Sequence, residues 1–67
     1  MPPKIRELKA MLRRAGFECR PGKGSHTVWY KEVVAQSQAL SGRDGDDAQH
    51  YQIKEVRDTI RMAERKK

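Results

Sequence analysis

Ile5, Leu8, Leu12 and Ala15 fall at i, i+3, i+7 and i+10, and Ile53, Val56, Ile60 and Ala63 restore that spacing near the other end of the chain. This is the period of one helical face, so each stretch reads as an amphipathic helix. Two such stripes need a surface on which to bury, and one face of a sheet formed by the residues between them supplies it. The first pattern predicts a helix over residues 3–15. Pro2 and Pro3 suit its start, since proline lacks an N–H that is unpaired there anyway. Gly16 suits its end, where the chain turns left-handed. The second pattern predicts a helix over residues 52–65, with Lys54, Arg57, Arg61 and Arg65 on its other faces and a frayed Arg65-Lys66-Lys67 end.

Between the helices, Phe17-Glu18-Cys19-Arg20 alternates apolar and polar, as a short strand does. Pro21-Gly22-Lys23-Gly24 reads as a turn, and His26-Thr27-Val28-Trp29-Tyr30, rich in β-branched and aromatic residues, as a second strand. A third strand is expected near Ala35–Leu40, where Gln36, Ser37 and Gln38 carry the least strand character. Residues 41–47, Ser-Gly-Arg-Asp-Gly-Asp-Asp, form a loop by composition. The order α-β-β-β-α places residues 1–67 in a single α+β domain. Its expected form is a three-stranded antiparallel meander with two helices on one face and the other face open to solvent or a partner. A chain of 67 residues buries only about 60% of its unfolded surface. Its core must come mainly from Ile5, Leu8, Leu12, Phe17, Val28, Trp29, Leu40, Ile53, Val56 and Ile60. A deep cofactor pocket is not expected, and function belongs on a surface or shallow groove.

Fifteen Lys and Arg against nine Asp and Glu leave a net charge of +6. That excess favours polyanions: RNA, DNA, an anionic membrane surface or an acidic protein. No apolar run approaches the ~20 residues of a membrane span, and Met1-Pro2-Pro3-Lys4 lacks the apolar core of a secretion signal. Cys19, the one cysteine, has no partner for an internal disulfide. A cytoplasmic setting is expected.

Chemistry concentrates in Gly22-Lys23-Gly24-Ser25-His26. Two glycines let a backbone approach a phosphate and expose its N–H groups; Lys23 adds charge, Ser25 a hydroxyl, and His26 a group suited to proton transfer near neutral pH. Metal-independent RNA hydrolysis needs a base for the ribose 2′-OH and positive charge near the phosphate, and this segment can supply both. The same residues also make an ordinary hairpin turn with a solvated histidine. The segment is neither a Walker loop nor a GXXG loop, because its glycine spacing differs from both. Arg6, Lys9 and Arg13 form a basic stripe that either tracks a phosphate backbone or is a solvated helix face. Asp44, Asp46 and Asp47 resemble a cation loop, but Ala48 and Gln49 stand where an EF-hand needs an oxygen ligand and a glycine. One cysteine and two histidines do not fill a structural zinc site. No metal is therefore expected. His50 is either a second acid–base group beside His26 or an exposed residue leading into the second helix. Trp29 and Tyr30 point to opposite faces of their strand, with Trp29 the core member and Tyr30 available to stack on a base or partner.

Lys4-Ile5-Arg6-Glu7-Leu8, Gly16-Phe17, Gly22-Lys23-Gly24-Ser25-His26 and Trp29, in that order, resemble the HicA toxins of bacterial type II toxin–antitoxin systems. Residues 40–48 and Tyr51-Gln52 resemble one branch of that family. The likeness spans nearly the whole chain, and Gly-Ser-His followed by an aromatic is its most specific part. It implies a double-stranded-RNA-binding-like fold, an mRNA-cleaving activity and inhibition by a HicB antitoxin. The family's catalytic histidine maps onto His26. Many members carry a further glycine-histidine-proline-like segment after the third strand; here Ser41-Gly42-Arg43-Asp44 stands there, and no role for a second histidine carries over.

The expected function is a metal-independent endoribonuclease toxin without a cofactor. His26 acts at the 2′-OH, Lys23 with the Gly22, Gly24 and Ser25 backbone holds the phosphate, and Arg6, Lys9 and Arg13 extend the RNA track. Two alternatives use the same residues: a non-catalytic RNA-binding module, and a protein whose charge serves only to bind an acidic antitoxin.

Overall fold

In the computed structural model, which describes residues 1–35 and 37–65, the elements run α1 (Ile5–Arg14), β1 (Glu18–Pro21), β2 (Thr27–Tyr30), β3 (Gln38–Leu40) and α2 (His50–Arg65). This is the α+β order α-β-β-β-α, with an antiparallel sheet in the order β1-β2-β3. Gln36, within the expected third strand, and Lys66 and Lys67, expected to fray, lie outside the described residues.

Helix α1 begins at Ile5, after both prolines. Lys4 is extended, bridges to Asp47 as a short β pair, and donates its N–H to Glu7 Oε2 at 2.6 Å. The Pro3 carbonyl accepts from the Ala48 N–H at 2.8 Å. The prolines thus belong to an extended lead-in held by the loop before α2, which is why the helix starts later than the periodicity alone predicts. At the other end, Phe17 N–H donates to the Leu12 carbonyl and Gly16 N–H to the Arg13 carbonyl, both at 2.9 Å, with Gly16 at φ 93°. These are the two bonds of a Schellman cap, and Phe17 and Leu12 occupy the positions whose side chains usually meet in that motif. Lys31 Nζ donates to the Ala15 carbonyl at 2.7 Å, placing a cation at the negative end of the helix.

The register pairs Cys19 with Trp29, Trp29 with Gln38, and Thr27 with Leu40. These side chains share the helix-bearing face. Trp29 is fully buried, and its indole N–H donates to Thr27 Oγ1 at 2.9 Å, so the ring enters the core with its polar atom satisfied. Ile5, Leu8, Leu12, Phe17, Leu40 and Val56 join it, together with Val34, Ala48 and Ala63. Val28 is not a core residue. Strand alternation turns it to the opposite face, where it is half-buried beside Arg20 and Ala39. Ile53 and Ile60 are also only half-buried; with Met11 they pack on the rim of the core.

Strand β3 is shorter than expected. It covers Gln38–Leu40, and between β2 and it a turn closed by Val34 N–H on the Lys31 carbonyl at 2.9 Å accompanies the burial of Val34 in the core. Helix α2 starts two residues early because Gln49 serves as its N-terminal cap. Gln49 N–H donates to Gln52 Oε1 at 2.7 Å, and Gln52 Nε2 donates to the Ser41 carbonyl at 2.9 Å. Gln38 makes the second polar tie between β3 and α2: its Oε1 accepts from Thr59 Oγ1 at 2.8 Å and its Nε2 donates to Glu55 Oε1 at 3.3 Å. Both glutamines are buried, so the N-terminal half of α2 is fixed on β3 by satisfied polar contacts as well as by packing. At the far end Arg65 is helical rather than frayed. No helix among the described residues is long and apolar enough to cross a membrane.

Candidate active site

The register brings the β1–β2 hairpin, the end of β3 and the start of α2 to one end of the sheet. The hairpin is tight. Gly22 N–H donates to the His26 carbonyl at 2.9 Å, and His26 N–H donates to the Lys23 carbonyl at 3.0 Å. Gly24, at φ 60°, takes the first central position of the Lys23–His26 turn, where a hairpin of this hand needs a positive φ. A Cβ on Gly22 would stand 3.2 Å from the His26 carbonyl oxygen and 3.3 Å from its Cβ, so Gly22 permits the close approach that seats His26. The loop glycines thus have distinct tasks. Gly22 lets the strands converge, and Gly24 turns the chain in open space. Lys23, Ser25 and His26 are all exposed on this turn.

His26 immediately precedes β2 and lines an open concavity of about 270 Å³ with Ala39, Ser41, Tyr51, Gln52 and Glu55. Sequence reading did not select Ser41, Tyr51 or Glu55 as site residues. Tyr51, Glu55 and Thr59 follow an i, i+4, i+8 stripe along the flank of α2 that faces β3. That stripe is polar, so it gives no hydrophobic signal; only the fold shows that it borders the histidine. The buried Gln38 side chain donates to Glu55 Oε1 at 3.3 Å as well as to the Ala39 carbonyl at 2.8 Å. No ion pair or hydrogen bond joins the Glu55 carboxylate to His26 among the described residues, so the two groups border the same space without contact.

His50 is elsewhere. It lines a concavity along the outer flank of α2 with Ile53, Lys54, Arg57, Asp58 and Arg61, which shares no residue with that of His26. The two histidines do not form one site.

The α1 stripe is more constrained than its spacing suggests. Lys9 Nζ meets Asp44 Oδ1 at 2.6 Å and its side chain is largely covered. The Arg13 guanidinium lies over the Trp29 ring, 5.2 Å from its centroid. Arg6 is exposed, and its backbone N–H donates to the Asp44 carbonyl at 3.2 Å. The three aspartates of the loop all have work within the fold. Asp44 pairs with Lys9, Asp47 pairs with Lys4, and Asp46 Oδ2 accepts from the Arg43 N–H at 3.0 Å. The hydrogen bond and charge of Lys9 hold the Asp44 carboxyl below its ordinary range; desolvation opposes them, and Arg13 and Arg6 add smaller lowering contributions.

On the uncovered sheet face, Arg20 stacks 4.9 Å from the centroid of the half-buried Tyr30 ring. A comparison with protein-family models, curated proteins and solved structures finds no match for this chain.

Proposed function

We propose that the chain is a metal-independent endoribonuclease toxin of the HicA type, acting on mRNA in the cytoplasm and silenced by a HicB-type antitoxin. The observation that carries this reading is the exposed His26 at the mouth of a concavity lined by hydroxyl, amide and carboxylate groups, directly beside a turn bearing Lys23 and Ser25. An imidazole on a well-held turn, next to a cation and open to a polymer, meets the needs of 2′-OH phosphoryl transfer. His26 moves a proton at the reacting ribose or at its leaving group, and the product ends in a 2′,3′-cyclic phosphate. Lys23, Ser25 and the turn backbone of Gly22 and Gly24 hold the scissile phosphate. Arg6 and Arg13 carry the RNA backbone beyond it, with Lys9 contributing less while Asp44 neutralises it. The net charge of +6 draws RNA, and equally an acidic inhibitor, to this surface.

The test is incubation of purified protein with structured and single-stranded RNA in the presence of a chelator. Cleavage leaving cyclic-phosphate ends supports the nuclease. Tight, salt-sensitive binding without cleavage assigns the chain to the RNA-binding alternative.

A further inference from the structure

We propose that Glu55 is a second catalytic residue, the general base that removes the 2′-OH proton, and that His26 is the general acid that protonates the departing 5′-oxygen. This rests on the nuclease reading above. Phosphodiester cleavage by the 2′-oxygen needs two proton transfers at opposite ends of the reacting phosphate, and one side chain cannot perform both in a single step unless a proton is shuttled between them. Two groups facing one cleft perform it directly.

Four features of the concavity fit that division. Glu55 and His26 line the same open space. No hydrogen bond or ion pair joins the two among the described residues, so neither group is taken up by the other. One oxygen of the exposed Glu55 carboxylate accepts from the buried Gln38 Nε2 at 3.3 Å; that amide also donates to the Ala39 carbonyl at 2.8 Å and accepts from Thr59 Oγ1 at 2.8 Å, which ties the carboxylate to β3. Tyr51, one turn earlier on α2, lines the same wall and offers a ring against which the adjoining base can lie. His50, the other histidine of the chain, lines a different concavity.

The step balances. The Glu55 carboxylate takes the proton from the 2′-OH as the 2′-oxygen–phosphorus bond forms. The phosphorus–5′-oxygen bond breaks, and its electron pair takes the proton carried by the His26 imidazolium. A cyclic phosphate and a 5′-OH result, and no metal or oxidant takes part.

The experiment compares two substrates: an RNA oligonucleotide, and uridine 3′-(p-nitrophenyl phosphate), whose nitrophenolate departs without a proton. Glu55→Gln keeps an oxygen for Gln38 to donate to, and melting temperature and RNA affinity verify that the fold and the binding surface persist. Glu55→Gln is expected to lower kcat on both substrates by about 10²–10⁴ and to remove the acidic limb of the pH–rate profile, with partial recovery in Glu55→Asp. His26→Ala is expected to lose RNA cleavage yet retain the nitrophenyl ester. Wild-type rates for Glu55→Gln on both substrates, while wild-type protein cleaves RNA and His26→Ala does not, overturn the inference and leave the nuclease reading intact. Loss of only RNA cleavage in Glu55→Gln, with loss of both in His26→Ala, overturns it by reversing the roles. Wild-type protein inert toward both substrates overturns the nuclease reading and this inference with it.

Discussion

The Lys9 ammonium meets the Asp44 carboxylate at 2.6 Å, joining α1 to the loop that leads into α2. One cation of the α1 stripe is therefore already neutralised within the fold. Asp44→Asn should free Lys9, raise RNA affinity and steepen the salt dependence by about 0.7–0.9 in log–log slope. An unchanged slope would remove Lys9 from the RNA track. The same pair has a pH signature. Because the folded-state pKa of Asp44 is lowered, its stabilisation is present above the ordinary carboxylate range and is lost as pH falls through the folded value. The melting temperature of the wild type should therefore exceed that of Asp44→Asn near neutrality and converge with it in acid.

Gly16→Ala should destabilise the protein by about 1–2 kcal/mol, because a residue with a Cβ is strained at this left-handed position. Gly16 sits at φ 93°, and the added Cβ would meet Lys31 Nζ at 3.0 Å, disturbing the cation that caps α1. Thermal melts of the two proteins provide the measurement, and equal stability would show that the Schellman turn does not hold the end of the helix.

Gln52→Ala should cost about 1–3 kcal/mol, the penalty for orphaning buried polar groups. It leaves the Ser41 carbonyl and the Gln49 N–H without their present partners. It should also lower activity more than binding, since Gln52 fixes the start of α2 and with it Tyr51 and Glu55. Equal losses in kcat and RNA affinity would argue against that positioning role.

How much of this could be read from the chain depends on the kind of signal each residue leaves. The helices and the sheet order were legible because Leu8, Leu12, Val56 and Trp29 are apolar at regular intervals and all become buried. Boundaries were less legible. The start of α1 is set by Lys4 and Pro3 bonding to Asp47 and Ala48, more than forty positions away, and no local propensity encodes that. Val28 looked like core because β-branched residues usually are, yet its parity places it on the open face. His26 and its turn stand out in the sequence because Gly-Lys-Gly-Ser-His is locally distinctive. Ser41 and Glu55 do not stand out, since a serine in a loop and a glutamate on a charged helix look ordinary until the fold places them beside a histidine.

In the toxin proposed above, an inhibitor acts by covering His26 and the basic residues proposed to hold RNA. An acidic antitoxin achieves this efficiently, since opposite charge speeds encounter and fixes orientation. The complex should bury the Gly22–His26 turn and part of α1, and hydrogen exchange at the turn amides should slow on binding. Inhibition with His26 still open to solvent would point to distortion of the site rather than to occlusion.

The most direct test of the account is cleavage of RNA in chelator by wild-type protein and by His26→Ala. His26 is exposed and immediately precedes β2, so its removal opens no cavity and should leave the melting temperature nearly unchanged. Lys23, Arg6 and Arg13 remain, so RNA affinity should persist. Cleavage is expected to fall by about 10²–10⁴ while folding and binding are retained. Undiminished cleavage by a folded His26→Ala protein would contradict the catalytic role of His26.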